Sequence, residues 1–296
     1  MGVILLLTPI LWGATFPAAK IGLEHIGVFP FMFWTRVLGF VTILVAVPVV
    51  ARGQVTGEAV RRVMGPGLLL GGLIFVAYAL QTEGLARTTA TNAGFITGLY
   101  VVFTPLLGLA LFRRGVRGVA WGAALVSVLG MALLSVPALD DLRPRSGDLL
   151  VLASAVGWAG HAVGIGYFAG RHPTILLSLA QMAATAAFHL AALAFTEARV
   201  PDTGEVWLML LITGVLGSGL AYTLQVVAQR TITATRAVVI LAGESVAAAA
   251  ISYVWLDERL LAHQWAGAAL VLAAMAISEL SARRADLRAE LSAPAG

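Results

Sequence analysis

Two charged residues stand out in this 296-residue chain because each lies inside an otherwise apolar stretch. Glu244 follows VVILAG and precedes SVAAAAI, and Arg36 lies within FWTRVLGF at residues 33–40. A charge in apolar surroundings is costly unless it is protonated, paired or in contact with water. Both residues are therefore candidates for a binding role.

Each of the two charges has a functional and a structural interpretation. Glu244 is predicted to contact an amine of a bound molecule or to carry a coupling proton; the alternative is a structural hydrogen bond between helices. Arg36 is predicted to counter a carboxylate, either that of a bound molecule or that of Glu244 or Glu83. The alternative for Arg36 is an ion pair that serves packing alone.

Tyrosine, glutamine and tryptophan residues recur at helical spacing in other apolar stretches and could line a cavity. Each tyrosine–glutamine pair has i,i+3 spacing, which places both side chains on one helix face. Packing in a core is the alternative for the other aromatic residues, and an interhelical hydrogen bond is the alternative for Tyr100. The predicted substrate-binding set is Glu244, Tyr100, Trp12, Tyr78, Gln81, Trp158, Tyr222, Gln225 and Arg36.

The sequence offers no group of residues arranged for catalysis. It has no cysteine, no HExxH, no paired-aspartate motif placed for chemistry and no G-x-x-x-x-G-K-[ST]. His161 and His189 are lone histidines, for which structural roles are favoured over metal binding. We therefore expect no catalytic residue, no metal, no cofactor and no enzymatic activity.

The composition points to the membrane. Hydrophobic residues make up 59% of the chain and charged residues 11%, with a mean hydropathy of +0.92, whereas soluble domains are about 45–50% apolar and about 25% charged. A soluble enzyme, a nucleic-acid binder and a secreted disulfide scaffold are excluded. The pI is near 10.0, but the net charge is only +4. This small excess of positive charge does not indicate a nucleic-acid binder.

Ten apolar stretches are long enough to cross a bilayer, for which about 20 residues are needed. They are continuously apolar rather than alternating, which predicts helices and excludes a β-barrel. We place them at residues 3–23, 29–50, 64–84, 91–112, 118–136, 148–169, 174–196, 205–228, 236–256 and 264–281.

The distribution of lysine and arginine predicts the orientation. With the N-terminus in the cytoplasm, the inside loops and tail contain twelve of these residues and the outside loops five, while Lys20 and Arg36 lie within spans. An excess of positive charge marks cytoplasmic loops. Both termini are therefore predicted to be cytoplasmic.

The chain also contains an internal repeat. YALQ at 78–81 recurs as YTLQ at 222–225, and TAT at 89–91 recurs at 233–235, both at an offset of 144. Trp121 matches Trp265 at the same offset, and Trp12 matches Trp158 at an offset of 146. Each half has five spans, so the second half enters the membrane from the opposite side. Inverted halves of this kind are typical of alternating-access carriers with a site near the midplane.

Several segments resemble the drug/metabolite transporter superfamily, in particular its EamA-type ten-helix members. The resemblance covers essentially the whole chain. The segments are LWGATFPAAK at 11–20, FWTRVLGF at 33–40, GLYVVFTPLLG at 98–108 and GESVAAAAISYVWLDERLLAHQWAGAALVLAAM at 243–275. The resemblance implies an inner-membrane carrier, often an exporter, of amino acids, other metabolites or drugs.

The sequence therefore predicts an all-α membrane protein with ten transmembrane helices in two inverted five-helix repeats. The predicted domains are residues 1–137 and 147–282, followed by a cytoplasmic tail at 283–296. The expected partners are a small-molecule substrate, the lipid bilayer and a coupling proton or counter-substrate, with no nucleic acid. Oligomeric state, substrate and direction stay open.

Two other functions remain open as alternatives. A lipid or lipid-linked-carrier flippase fits the same aromatic and small-residue composition. An organophosphate or nucleotide-sugar antiporter needs several cations at membrane depth, and the spans contain only Lys20 and Arg36.

The inverted repeat makes a direct prediction about topology. Reporter fusions at the N-terminus and in PALDDLRPRSG at 137–147 should report opposite compartments, because an odd number of spans separates them. Alkaline phosphatase and fluorescent-protein fusions measure this. A reporter in the 137–147 segment that faces the cytoplasm would contradict the repeat.

Overall fold

The computed structural model describes residues 2–85, 87–88, 96–113, 118–135, 145–196, 200–255 and 259–292. Within these ranges the regular elements are all helical. We number them α1 (Leu7–Ile26, after a short helix Gly2–Leu5), α2 (Val28–Val50), α3 (Gly57–Leu85), α4 (Tyr100–Phe112), α5 (Gly118–Ser135), α6 (Asp148–Phe168), α7 (Thr174–Leu193), α8 (Gly204–Leu211, Ile212–Ala221 and Tyr222–Ala228), α9 (Ala234–Leu241 and Gly243–Trp255) and α10 (Ala262–Ser292).

Seven of the helices in these described ranges are long and apolar enough to cross a bilayer, namely α2, α3, α6, α7, α8, α9 and α10. Shorter apolar helices occupy Ile96–Phe112 and Gly118–Leu134. The prediction of an all-α, multi-pass membrane protein is confirmed. The count of ten spans and their inverted arrangement stay predictions.

Three predicted features lie outside the described residues. They are the TAT at 89–91, the loop between the halves at 137–144 and the side chain of Lys20. At the other end, α10 continues to Ser292, so the helix runs well past residue 282, where we predicted the tail to begin.

The outer surface of the bundle is apolar. Val49 is 78% exposed and Val254 is 75% exposed, and many other large hydrophobic side chains point outwards as well. An outer surface with so many exposed large hydrophobic side chains is rare on soluble monomers. They are what a surface in contact with lipid requires.

The packing of the helices brings the two predicted halves together. Helix α3 packs against α6 and α7, and α8 packs against α1 and α2. The second segment of α9 packs against α1, and α4 packs against α6. Two further contacts join equivalent helices, α2 with α7 and α5 with α10.

Glycine allows these helices to approach closely. A Cβ atom at Gly67 would lie 2.4 Å from the Cβ of Ala180, and one at Gly71 would lie 2.6 Å from the Cβ of Ala184. Both glycines belong to GPGLLLGG at 65–72, which the sequence predicts to be a packing seam. This prediction is confirmed, since the segment faces α7 at backbone distance.

Three of the helices are interrupted. The middle of α8, Ile212–Ala221, is a π-helix, a form usually found as single turns at functional sites. Helix α9 is interrupted at Ala242, between its two segments, and α4 is preceded by a turn at Leu99 that follows helical residues 96–98.

The contact between α5 and α10 gives a test of the packing. A Cβ atom at Gly130 would lie 2.7 Å from the carbonyl oxygen of Gly267, so Gly130→Ala forces the helices apart. We expect a loss of about 1–3 kcal/mol of stability, measured as a lower thermal unfolding midpoint in detergent. Gly122→Ala is the matched control, because nothing lies within 4 Å of a Cβ atom there on the same helix. Equal midpoints for the two variants would contradict this packing.

Candidate functional site

Five residues from five helices meet inside the bundle. They are Trp12 of α1, Arg36 of α2, Tyr78 of α3, Trp158 of α6 and Tyr222 of α8, and we call them the central cluster. All five belong to the predicted substrate-binding set. The structure therefore brings together residues that lie up to 210 positions apart in the sequence.

The aromatic members of the central cluster form two edge-on pairs. The ring centroids of Trp12 and Tyr222 are 5.0 Å apart, and those of Tyr78 and Trp158 are 4.7 Å apart. The hydroxyl groups of Tyr78 and Tyr222 lie 3.5 Å from each other and join the two pairs. Edge-on geometry places the positive rim of one ring against the negative face of the other.

The two indole N–H groups have different partners. Trp12 donates from Nε1 to the carbonyl oxygen of Gly217 at 3.1 Å, whereas Trp158 donates to Oε1 of Gln81 at 3.3 Å. The Gln81 amide in turn donates to the hydroxyl of Thr97 at 3.1 Å. Gln81 therefore connects α6 to the start of α4.

Arg36 is buried, with 3% of its surface exposed. Its Nη1 donates to the hydroxyl of Ser218, and its guanidinium lies 4.4 Å from the ring centroid of Tyr78 and 5.8 Å from that of Tyr222. An aromatic face attracts a cation within about 6 Å. Arg36 is thus held by a hydroxyl and two rings.

The predicted ion pair of Arg36 with Glu83 or Glu244 is not formed. Glu83, near the end of α3, pairs instead with Arg87, which follows the helix, at 2.9 Å; both of these side chains are exposed whereas Arg36 is buried. No ion pair joins Arg36 to Glu244 in the described part of the chain. Of the three predicted partners of Arg36, the carboxylate of a bound molecule is therefore the one that remains.

Glu244 lies where α9 is interrupted. It is the second residue of the segment Gly243–Trp255 and is half-buried, and a carboxylate in the first turn of a helix interacts favourably with the helix dipole. The segment that carries Glu244 packs against α1, the helix of Trp12. No described residue makes a hydrogen bond or an ion pair with the Glu244 carboxylate.

The two histidines have structural partners. The Nε2 of His161 lies 3.0 Å from Oε1 of Gln181, and the Nδ1 of His189 lies 2.8 Å from the backbone carbonyl of Thr185. The ring of His161 also lies 5.7 Å from that of Tyr222. These contacts agree with the structural roles predicted for both.

Sequence reasoning missed two residues beside the central cluster. Gln181 is a polar residue in an apolar stretch, so the argument applied to Glu244 would have found it. Ser218 stands in GSG within the π-helix, where a small polar residue has no distinguishing signal. Only the fold shows that Ser218 accepts a hydrogen bond from Arg36.

Several buried polar atoms near the cluster have no hydrogen-bond partner among the described residues. They are Nε of Arg36, Nε2 of Gln181 and Oε1 of Gln225. Such atoms are uncommon in folded proteins and call for a physical explanation. A bound molecule that donates and accepts hydrogen bonds would satisfy them.

A narrow cleft adjoins the central cluster. It opens towards the end of the bundle where α2 begins and α3 ends. Its walls are Val28, Phe29, Met32, Tyr78, Ala79, Thr82 and His189.

A separate surface recess of about 330 Å³ lies between the loops after α2, α6 and α8. Its basic side chains are those of Arg171, His172 and Arg230. Burial lowers the pKa of His172, and the charges of Arg171 and Arg62 lower it further. None of the predicted binding residues lines this recess.

A helical bundle with a lipid-facing surface is the architecture of a multi-pass membrane protein, and comparison with known families specifies its class. The model of the EamA-like transporter family matches this chain at residues 1–136 and again at 145–279. The chain belongs to this family.

Two relatives agree with the family assignment. A protein of Archaeoglobus fulgidus named as an uncharacterized transporter is 31% identical over 281 residues, which cover 93% of this chain and 84% of that protein. A second uncharacterized transporter of this organism is 29% identical over 163 residues, 54% of this chain and 55% of that protein.

One solved crystal structure has the same fold. It superposes with a TM-score of 0.80 at 22% identity and covers 96% of this chain and 98% of the other. At this identity the likeness concerns the fold alone.

The protein is therefore a multi-pass membrane transporter with a small-molecule substrate, and the family consists of transporters rather than enzymes. The resemblance that the sequence showed to this family is confirmed.

The hydrogen bond between Arg36 and Ser218 leads to a stability prediction. Ser218→Ala removes a hydrogen-bond acceptor from a buried cation, so we expect a loss of about 1–3 kcal/mol of stability, seen as a lower thermal unfolding midpoint. Thr223→Val on the same helix is the control, because that hydroxyl bonds only to the carbonyl of Gly219 one turn earlier. A control that destabilises as much as Ser218→Ala would contradict this role.

Proposed function

We propose that this protein is a secondary carrier that exports small metabolites, such as amino acids or amphipathic drugs, by alternating access. Its two inverted halves, residues 1–137 and 147–282, would rock around a midplane site. The observation that carries the proposal is the central cluster, where aromatic and charged side chains from both halves meet inside the bundle.

The packing pattern of the helices supports the two-fold relation between the halves. Exchanging α1–α5 with α6–α10 turns the contacts of α3 with α6 and α7 into those of α8 with α1 and α2. It also turns the contact of α4 with α6 into that of α9 with α1. The pairs α2–α7 and α5–α10 map onto themselves, as helices beside a two-fold axis must.

Individual residues obey the same relation. The pair Trp12–Tyr222 becomes Trp158–Tyr78 when the halves are exchanged, and both pairs are edge-on. The hydroxyls of Tyr78 and Tyr222, 144 residues apart, face each other.

The interrupted helices show the relation as well. A Cβ atom at Gly98 would lie 2.8 Å from Sδ of Met131, and one at Gly243 would lie 2.8 Å from Sδ of Met275. Each of these glycines stands beside the interruption in α4 or α9. The matching positions of these glycines support equivalence of α4 and α9. Discontinuous helices of this kind line the sites of many inverted-repeat carriers.

Departures from the symmetry support alternating access. Trp12 bonds to the backbone of Gly217, whereas Trp158 bonds to the side chain of Gln81, and Oε1 of Gln225, the repeat mate of Gln81, has no partner in the described residues. In the opposite state of the carrier, we expect the two tryptophans to exchange these roles.

Glu244 and Tyr100 complete the proposed site at the interrupted helices. Under this proposal Glu244 contacts a substrate amine or carries a coupling proton, and a proton gradient or a counter-substrate drives transport. The inner membrane, which the family resemblance implies, remains part of the proposal. So do the cytoplasmic termini, which the arginine distribution supports.

The alternatives differ in the charge that they require. Among the described residues, Arg36 is the only buried cation, which disfavours an organophosphate or nucleotide-sugar antiporter.

A flippase would move lipid. Proteoliposomes containing the purified protein should therefore take up labelled small metabolites and leave labelled lipids in place; lipid movement without solute uptake would instead support the flippase.

The substrate class can be found by binding. A thermal-shift screen of the purified protein against amino acids, purines and toxic cations should give stabilising ligands at millimolar or tighter affinity. These ligands then become the labelled solutes for the uptake measurement.

Glu244 gives the sharpest test by mutation. We expect Glu244→Gln to abolish transport or remove its pH dependence, because the amide cannot exchange a proton or carry a charge. The rate of uptake against external pH measures this in proteoliposomes. Glu205→Gln is the control, since Glu205 is an exposed residue at the start of α8. A Glu244→Gln variant with the transport rate and pH profile of the wild type would refute the role.

A further inference from the structure

We propose that the edge of the Arg36 guanidinium formed by Nε and Nη2 binds a carboxylate of the transported molecule. The substrate is then an organic acid whose carboxylate is attached to an apolar body. This inference rests on the proposed carrier function and specifies the chemical class of its substrate.

The hydrogen bonds of Arg36 leave one edge of the guanidinium free. The Nη1 group is engaged by the hydroxyl of Ser218. The Nη2 group has the thioether sulfur of Met32 at 3.7 Å, and sulfur of this kind is a weak acceptor. Nε is buried and has no partner among the described residues.

The free edge has the geometry that a carboxylate requires. The N–H groups of Nε and Nη2 lie on the same side of the planar guanidinium, and a carboxylate accepts two parallel hydrogen bonds from such a pair. A neutral acceptor such as an amide oxygen would satisfy one of them and leave the charge uncompensated.

The charge of Arg36 also lacks a counter-ion inside the protein. None of the carboxylates in the described residues pairs with it. Glu83 is bound to Arg87, and Glu279 to Arg236 at 2.6 Å. Leaving a buried charge unpaired is costly, so an anion that binds at Arg36 compensates a charge that the described residues leave without a counter-ion.

The cleft beside the central cluster provides the place for this anion. Met32 and Tyr78 both contact the guanidinium and both line the cleft. Methionine is unbranched and flexible, so its side chain can move aside and uncover Nη2. An incoming carboxylate would replace a weak sulfur contact with two strong hydrogen bonds.

The cleft walls define the rest of the molecule. Val28, Phe29 and Ala79 are apolar, and no carboxylate of the described residues lines the cleft. The cleft is too narrow to hold a ligand in this conformation, so the side chain of Met32 has to move before a molecule can enter. An ammonium group next to the carboxylate would have no charged partner in this lining, whereas an apolar chain or ring matches its apolar character.

The test compares acids with their amides on the full-length protein. The probes are 3-phenylpropionate and 4-methylpentanoate, each beside its neutral amide, with dissociation constants measured by thermal shift and uptake measured in proteoliposomes. We expect the acids to bind the wild type at least about tenfold more tightly than the amides, because hydrogen bonds to a charged partner are stronger than neutral ones.

Variants locate the effect at Arg36. Arg36→Gln should lose the preference for the acid, and Arg36→Lys should keep part of it, since an ammonium retains the charge without the paired N–H groups. Arg87→Gln, which changes an exposed arginine of the Glu83 pair, should behave as the wild type. If Arg36→Gln does not fold, the comparison of acid with amide on the wild type and on Arg36→Lys decides.

The outcomes separate this inference from the carrier proposal. Equal binding of acid and amide by the wild type, no binding of either acid, or full acid preference in Arg36→Gln, overturns the carboxylate site. Uptake of other solutes under those conditions leaves the carrier function intact. Absence of uptake for every solute overturns the carrier function itself.

Discussion

The structure depends on how the positive charge of Arg36 is held away from bulk solvent. Arg36 is buried among apolar helices, and it is held by the hydroxyl of Ser218 and the rings of Tyr78 and Tyr222. These contacts connect α2, α3 and α8. These contacts stabilise the guanidinium in the core. Because none of the partners carries a full negative charge, the positive charge of Arg36 is left available for a ligand. The same group therefore contributes both to the fold and to the proposed function.

The middle of α8 makes this arrangement possible. In the π-helix, hydrogen bonds run from i to i+5, and glycine residues let other helices approach the backbone. Gly217 accepts the indole N–H of Trp12, and a Cβ atom at Gly39 would lie 2.6 Å from that of Ser218. Regular helix with larger side chains would hold α1 and α2 too far away for either contact. Close approach is therefore the condition for assembling the central cluster.

The proposed repeat would explain both the likeness and the difference between the halves. Under this proposal, two related five-helix units place the same residue types on both sides of the centre, which accounts for the paired tryptophans and tyrosines. A carrier of the proposed kind, open to one side, must nevertheless hold its halves in different conformations. The unequal partners of Trp12 and Trp158 are of this kind, and they concern hydrogen bonds that can be exchanged without changing the core.

The sequence alone was enough to predict the membrane class, most of the helices, the family and the residues of the central cluster, because long apolar runs and isolated polar residues in them are local features with a large energetic effect. It could not show that Arg36 lies against Ser218 rather than Glu83, since 182 residues separate Arg36 from Ser218 and both of these partners are plausible. It also did not predict the π-helix in α8 or the cleft beside Met32. Those depend on the distances between helices, and only tertiary packing fixes these distances, because the same apolar faces can pack in several ways until glycine and side-chain shape select one.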